Sequence, residues 1–399
     1  MSVNNLHDHE PDCVEVAVKK VVQEMKTRAR SEATSIPKIY AQTIRTACEH
    51  EEVTATLPTF NSIRTSLYQS RRQRYPPMPE SVDDLDFSGE WAVTDKNETF
   101  YHGCRDGVFL FTTENNLDTL SRAEMFCCDG TFSICPRLFY QVFTIHCFKH
   151  DKLFPMVYFL LPNKTRETYN NDFLLLKQVS QNYGFTLMPA CVKADYELPL
   201  VQSVQISFPS CAFKGCYYHF AQAIWRKVQN LGLASAYRHP QSEDKKSFRK
   251  VISLPFVPVS YVRMAWDGLK HCMPSGQAYD HFVDYFEGTW LNGNFSLSHW
   301  NVHLIGGPRT NNNLEGWHSR VKTLAGKIHL NIFEIVELFK TEQSNMEASI
   351  LQLASGGTLR SKGVSRKRKE ERIRKIQEKF DEGDYTLEYL GALYRWVGF

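Results

Sequence analysis

The chain has 399 residues, 42% hydrophobic and 23% charged, with a net charge of only +3. Those values describe a globular protein of roughly two or three domains and exclude both a polycation and a low-complexity chain. No run of about 18 apolar residues is present, so no membrane helix is expected, and the segment from Met1 to His7 has neither the basic nor the apolar part of a secretory leader. Several of the eleven cysteines, among them Cys127, Cys128, Cys147 and Cys191, lie in apolar runs. They read as buried thiols in a reducing compartment rather than a secreted disulfide framework.

Residues 1–12 are polar and carry an H-x-H pair, His7 and His9. Helical periodicity follows over 13–35, with Val14, Val16, Val18, Val21, Val22 and Met25 among charges, and again over 39–50 and 62–73, the latter preceded by the capping segment Thr59-Phe60-Asn61-Ser62. The run Tyr75-Pro76-Pro77-Met78-Pro79 reads as a linker. Residues 13–97 are thus expected to form a helical N-terminal region and are a candidate for DNA binding. From about residue 98 the texture changes. Strands are expected at 99–102, 108–113, 125–134, 139–148, 153–161, 187–192 and 211–216, and helices at 117–124, 169–183, 198–206 and 217–232. Three neighbouring strands joined by short turns, then strands alternating with helices, is the order of an RNase H-like α/β layer. This layer spans 98–345, interrupted at about 233–306 by an aromatic-rich, mostly helical insertion. Residues 346–399 read as a basic C-terminal tail. The fold class expected is α/β: an RNase H-like core with a helical insertion and an N-terminal helical region.

Three acids stand out. Asp129 lies where the apolar run Met125–Cys128 meets Gly130, Asp195 follows the run ending at Val192, and Glu315 lies on a later helix that opens with Asn311, Asn312 and Asn313. Taken singly, each has a plain reading: a turn-forming Asp, a helix N-cap, a carboxylate near a helix N-terminus. Together they form two carboxylates at the ends of neighbouring strands and a third on a helix. That set holds two Mg²⁺ ions for phosphoryl transfer, because Mg²⁺ takes few protein carboxylates and leaves the rest of its shell to water and phosphate.

Between the second and third acids lies Cys216-Tyr217-Tyr218-His219, a C-x-x-H. One reading is half of a Zn²⁺ site, with Cys211, His271 or Cys272 as distant partners. The other is a buried Cys and a hydrogen-bonded His beside the acidic layer. Trp300, Arg309, Arg320 and Lys322 surround Glu315 in sequence. The cations are candidates for DNA phosphates and Trp300 for base stacking, with packing as the competing role for Trp300 and Trp317. The basic run Lys362–Lys379 reads either as a nuclear-import or DNA-backbone patch or as a solvated helix.

These motifs resemble the Mutator-like element (MULE) transposases, which carry a DDE catalytic domain. The resemblance covers roughly 120–345. It rests on Cys128-Asp129-Gly130-Thr131-Phe132 with Phe139-Tyr140-Gln141, on Ala194-Asp195-Tyr196-Glu197, on Phe208-Pro209 with Gly215-Cys216-Tyr217-Tyr218-His219-Phe220, and on Asn311-Asn312-Asn313-Leu314-Glu315-Gly316-Trp317-His318. It implies that Asp129, Asp195 and Glu315 are the catalytic, metal-binding triad, served by Mg²⁺ or Mn²⁺. The segment His7-Asp8-His9-Glu10-Pro11 looks like the end of the FLYWCH-type zinc finger found in animal members, without that finger's Cys ligands.

The function implied is a nuclear DNA transposase that cleaves transposon ends and joins them to target DNA as a homo-oligomer, a dimer at least. Two alternatives compete. One is a domesticated, catalytically silent nuclear DNA-binding or transcription-regulating protein. The other is a general RNase H-like nuclease acting on RNA–DNA hybrids, against which the large insertion argues.

Overall fold

A computed structural model describes residues 12–32, 34–150, 152–238, 242–303, 312–357, 364–378 and 387–397. Contacts divide the chain into two compact units, Met1–Asp84 and Leu85–Phe399.

The first unit holds four helices among its described residues, α1 (Cys13–Ser31), α2 (Ile36–Ala47), α3 (Glu51–Thr56) and α4 (Phe60–Arg72). Asp12 and Thr59 cap α1 and α4 through their side-chain oxygens, satisfying backbone N–H groups left unpaired at a helix start. Met25, Ala29, Ile36, Ile39, Ile63 and Leu67 form its small core. The short α3 follows His50 directly and has no apolar stripe of its own, so nothing in its sequence announces it.

The second unit is built on one mixed sheet. Its strands are β1 (Tyr101–Arg105), β2 (Val108–Phe111), β3 (Met125–Thr131), β4 (Gln141–Lys149), β5 (Lys152–Leu161), β6 (Cys191–Ala194) and β7 (Ala212–Gly215), in the spatial order β1-β2-β5-β4-β3-β6-β7. Strands β3, β4 and β5 form an antiparallel meander, and β6 and β7 join parallel to β3. Each parallel crossover carries a helix, as a parallel connection requires. These are α6 (Arg166–Asn182) before β6 and α7 (Leu198–Ser207) before β7, whereas α5 (Glu114–Ser121) joins β2 to β3. Strand β6 starts later than its apolar run suggests. Pro189 lacks the N–H a ladder needs, and pairing begins at Cys191.

After β7 the chain is helical: α8 (Tyr217–Asn230), α9 (Ala234–Arg238), α10 (Glu243–Ser253), α11 (Val262–His271), α12 (Gln277–Phe286), α13 (Leu297–Trp300), α14 (Asn312–Ala325), α15 (Ile332–Ala354), α16 (Val364–Glu378) and α17 (Leu387–Leu393). Two cores result. Phe126, Cys128, Phe143, Ile145 and Phe159 from the sheet pack with Tyr169, Phe173 and Leu176 of α6 and Val204 of α7. A second, aromatic core gathers Phe220, Phe248, Trp266, Phe286, Trp290 and Trp300, and Ile373, Tyr389, Leu390 and Leu393 from the C-terminal segment join it.

Candidate active site

Strand alternation sets the site. Side chains along a strand point to opposite faces in turn, so Phe126 and Cys128 enter the apolar core while Asp129 does not. Its antiparallel partner Thr144, with His146 and Tyr158 further across, belongs to the same face as Asp129. On the other side, β6 pairs parallel with β3 in the register Phe126↔Val192 and Cys127↔Lys193. Carried two residues on, that register sets Asp195 beside Asp129.

The next junction adds His219. The Cys216 N–H donates to the Ala194 carbonyl at 2.9 Å, Cys216 is the N-cap of α8, and His219 lies one turn in, with Nδ1 in ion-pair contact with Asp195 Oδ1. Glycines leave room here for neighbouring side chains. A Cβ on Gly130 would run into the Gln141 side chain, and one on Gly215 into the Tyr196 ring.

The third carboxylate arrives on α14. That helix is anchored by Trp317, whose indole N–H donates to Glu342 Oε2 at 2.8 Å. Arg320 pairs with the same carboxylate. Trp317 also meets the edge of His146 at 4.9 Å between ring centroids. Glu342 lies on α15, whose start is fixed by a capping box of Asn331 and Glu334. One turn apart on α14, Glu315 and His318 share a helix face, and His318 Nε2 lies 3.6 Å from Asp129 Oδ2.

Electrostatics tie the groups together. Asp129 is almost fully buried, and its carboxyl is held well above the usual range, first by burial, then by the charge on Asp195; Glu315 adds to the rise, while His219 and the Gly130 N–H partly offset it. Burial works against a charged His219, but its hydrogen bonds to Asp195 and Cys216 outweigh that and raise it. His318, buried without so close a carboxylate partner, is pushed down to about 4. One imidazole is therefore cationic and the other neutral within the same site.

Asp129 and Asp195 line a small cleft with Gly130, Phe132, Tyr169 and Glu197. Gln141 donates to the Tyr169 hydroxyl, which donates to Glu197, both at 2.9 Å. Among the described residues, no group of three His, Cys, Asp or Glu side chains is positioned to hold a metal ion. Cys216 and His219 accordingly gain no third ligand there.

The remaining sequence candidates separate. Trp300 is fully buried in the aromatic core, its indole N–H donating to the Trp290 carbonyl at 2.9 Å, so it offers no face to a base. Arg320 is half exposed but paired to Glu342, and Lys322 is exposed on α14. Arg309, His7 and His9 lie outside the described residues. In the basic run, Arg374 is paired with Glu371 and Glu378 and Ile373 is buried.

Sequence reasoning assigned no role to His318, Glu197, Tyr169 or Glu342, although His318 and Glu197 fall within the motifs of the resemblance. The i,i+3 spacing of Glu315 and His318 was available as a signal for the first. Nothing local marks Glu342.

Two acids side by side at the ends of parallel strands, with a helical carboxylate felt by the first, are the polar centre of an α/β protein with a mixed seven-strand sheet. Residues 125–223, from β3 into α8, match the family model of the MULE transposase domain. Over those residues the chain is similar to the MULE transposase domain. No curated protein matches the chain.

Proposed function

We propose that the chain is a DDE-type polynucleotidyl transferase with an RNase H-like core, cleaving DNA ends and joining them to target DNA with Asp129, Asp195 and Glu315 as its catalytic carboxylates. The observation that carries the proposal is the adjacency of Asp129 and Asp195 on parallel-paired β3 and β6, with Glu315 near enough to raise the Asp129 carboxyl. The meander followed by two parallel strands supports the RNase H-like reading.

The chemistry of these donors, carboxylate oxygens, is that of a hard divalent cation. The charges on Asp195 and Glu315 oppose the ionisation of Asp129, an opposition that a cation placed beside it would relieve, and these residues would hold Mg²⁺ or Mn²⁺. Bound there, the metal would supply Lewis-acid stabilisation and an activated water. The chain's own contribution is placement. The β3–β6 register fixes two carboxylates, and the Trp317–Glu342 anchor presents the third. His219 keeps a positive charge against Asp195 and limits repulsion of a phosphate. DNA is the proposed substrate, a homo-oligomer the proposed working form for joining two ends, and the nucleus the proposed location.

The test is Mg²⁺- or Mn²⁺-dependent cleavage and joining of DNA bearing the element's own ends. Asp129→Ala and Glu315→Ala should each abolish the chemistry and leave DNA binding intact. Retained cleavage in either variant refutes the assignment of that carboxylate. DNA binding without chemistry in wild type and variants alike would support the silent regulatory reading instead.

A further inference from the structure

Two large aromatic side chains stand exposed at the rim of the carboxylate cleft. Phe132 is 46% and Tyr140 47% exposed, and their rings meet edge to face at 5.4 Å between centroids. Phe132 itself lines the cleft with Asp129, Asp195 and Glu197. It lies three residues beyond Asp129, about 10 Å along an extended chain.

The loop that presents them is held in place. Beneath it Ile134, Cys135 and Phe139 are buried. The His329 N–H donates to the Ser133 carbonyl at 2.9 Å, and the Tyr140 N–H donates to the Leu161 carbonyl at 2.8 Å. Two apolar faces kept in water on a braced loop are not a packing accident, since the neighbouring apolar residues of the same loop are inside.

A cation completes the group. Lys164 Nζ lies 6.0 Å from the Tyr140 ring centroid and 3.3 Å from Glu197 Oε1. Flat aromatic faces beside a cation, continuous with a cleft of phosphate-transfer carboxylates, match the chemistry of an unpaired nucleotide: a base that stacks and a phosphate that is neutralised.

We propose that Phe132 and Tyr140 form a stacking platform for an unpaired nucleobase flanking the reacting phosphate, with Lys164 beside the next phosphate. The placement relative to the reacting phosphate rests on the transferase reading. The stacking itself is testable without it.

The experiment is fluorescence anisotropy in magnesium buffer. It uses a labelled oligo-dT and an abasic deoxyribose-phosphate oligomer of equal length, with wild type, Phe132→Ala, Phe132→Leu, Tyr140→Ala and Tyr140→Phe. Stacking on one base should make wild type prefer oligo-dT by about fivefold or more. Phe132→Ala and Tyr140→Ala should lose that preference with abasic affinity unchanged. Phe132→Leu keeps apolar bulk without an aromatic face and should lose it too, while Tyr140→Phe should keep it. A wild type that binds both oligomers equally, or neither, overturns the platform, as does a preference that survives both alanine variants. Metal-dependent cleavage lost in Asp129→Ala would in that case leave the transferase reading standing, whereas absence of both binding and cleavage would sink the two together.

Discussion

The two faces of the central sheet are made by the same strands and built on opposite principles. One face carries Phe126, Cys128, Phe143, Ile145 and Phe159 into a core closed by α6 and α7. The other carries Asp129, Thr144, His146 and Tyr158 towards α14 and α15. On the first, burial of apolar area does the stabilising and a side chain needs only to fit. On the second, polar groups out of water each need a partner, and the partners found (Thr144 for His146, Trp317 and Arg320 for Glu342) are also what hold α14. The polar face is thus the one whose stability and proposed function are linked.

The largest effects should come from removing a large ring on either face. Phe159→Ala and Trp317→Ala should each lower unfolding free energy by about 3–5 kcal/mol. The comparison lies in what else is lost. Phe159 packs within the apolar core and is not one of the residues lining the carboxylate cleft, so the folded fraction of that variant should keep its cleavage rate. Trp317 anchors the helix bearing Glu315, so the folded fraction of its variant should be deficient. Denaturant unfolding together with cleavage per folded molecule reads both. Equal rates for the two variants would show that this anchor does not set the position of Glu315.

The apolar face has one exception, and it predicts a pH dependence. Asp172 on α6 is fully buried, and its carboxylate has no side-chain hydrogen-bond partner among the described residues. Burial drives its carboxyl well above 3.8, with only the Phe173 backbone N–H working the other way. The folded chain therefore keeps this proton at pH values where the unfolded chain has released it. Stability from this group is complete below about pH 3.8 and declines as pH rises towards the folded pKa. Asp172→Asn has no proton to release. Between pH 5 and pH 8 its melting temperature should fall less than that of wild type, with a gain at pH 8 of about 1–3 kcal/mol. Parallel melting curves for the two proteins would show that Asp172 finds a charge partner in solution.

The unequal legibility of the sequence follows the same division. The apolar face announces itself by alternation and short turns, and the mixed α/β order could be read from it. The proposed carboxylates Asp129 and Asp195 drew attention because each follows an apolar run, and Glu315 because its helix opens with an unusual polar run. What local pattern did not hold was depth and long-range pairing. Trp300 has the same letter whether it stacks on a base or, as here, lies beneath Trp290. Glu342 becomes a buried anchor only because α15 crosses the face carrying His146 and Tyr158. The shortened start of β6 was readable at Pro189, where a missing N–H outweighs the apolar run.

The smallest effect would test whether the polar face is wired as its geometry implies. Thr144 Oγ1 is 3.3 Å from the Asp129 carbonyl oxygen and 2.9 Å from His146 Nε2. A carbonyl only accepts, so the hydroxyl proton goes to Asp129 and the hydroxyl lone pair is left for His146, which must then carry its proton on Nε2. Burial keeps His146 neutral, and His318 and Arg320 add to that. Thr144→Val keeps the shape but leaves that N–H unpaired, at about 1 kcal/mol, whereas Thr144→Ser should restore most of the loss. Because His146 meets Trp317 edge to face, the valine variant should also reduce cleavage, and by far less than Trp317→Ala. A Thr144→Val protein as stable and active as wild type would mean that the polar order of this face is carried by the Glu342 anchor alone.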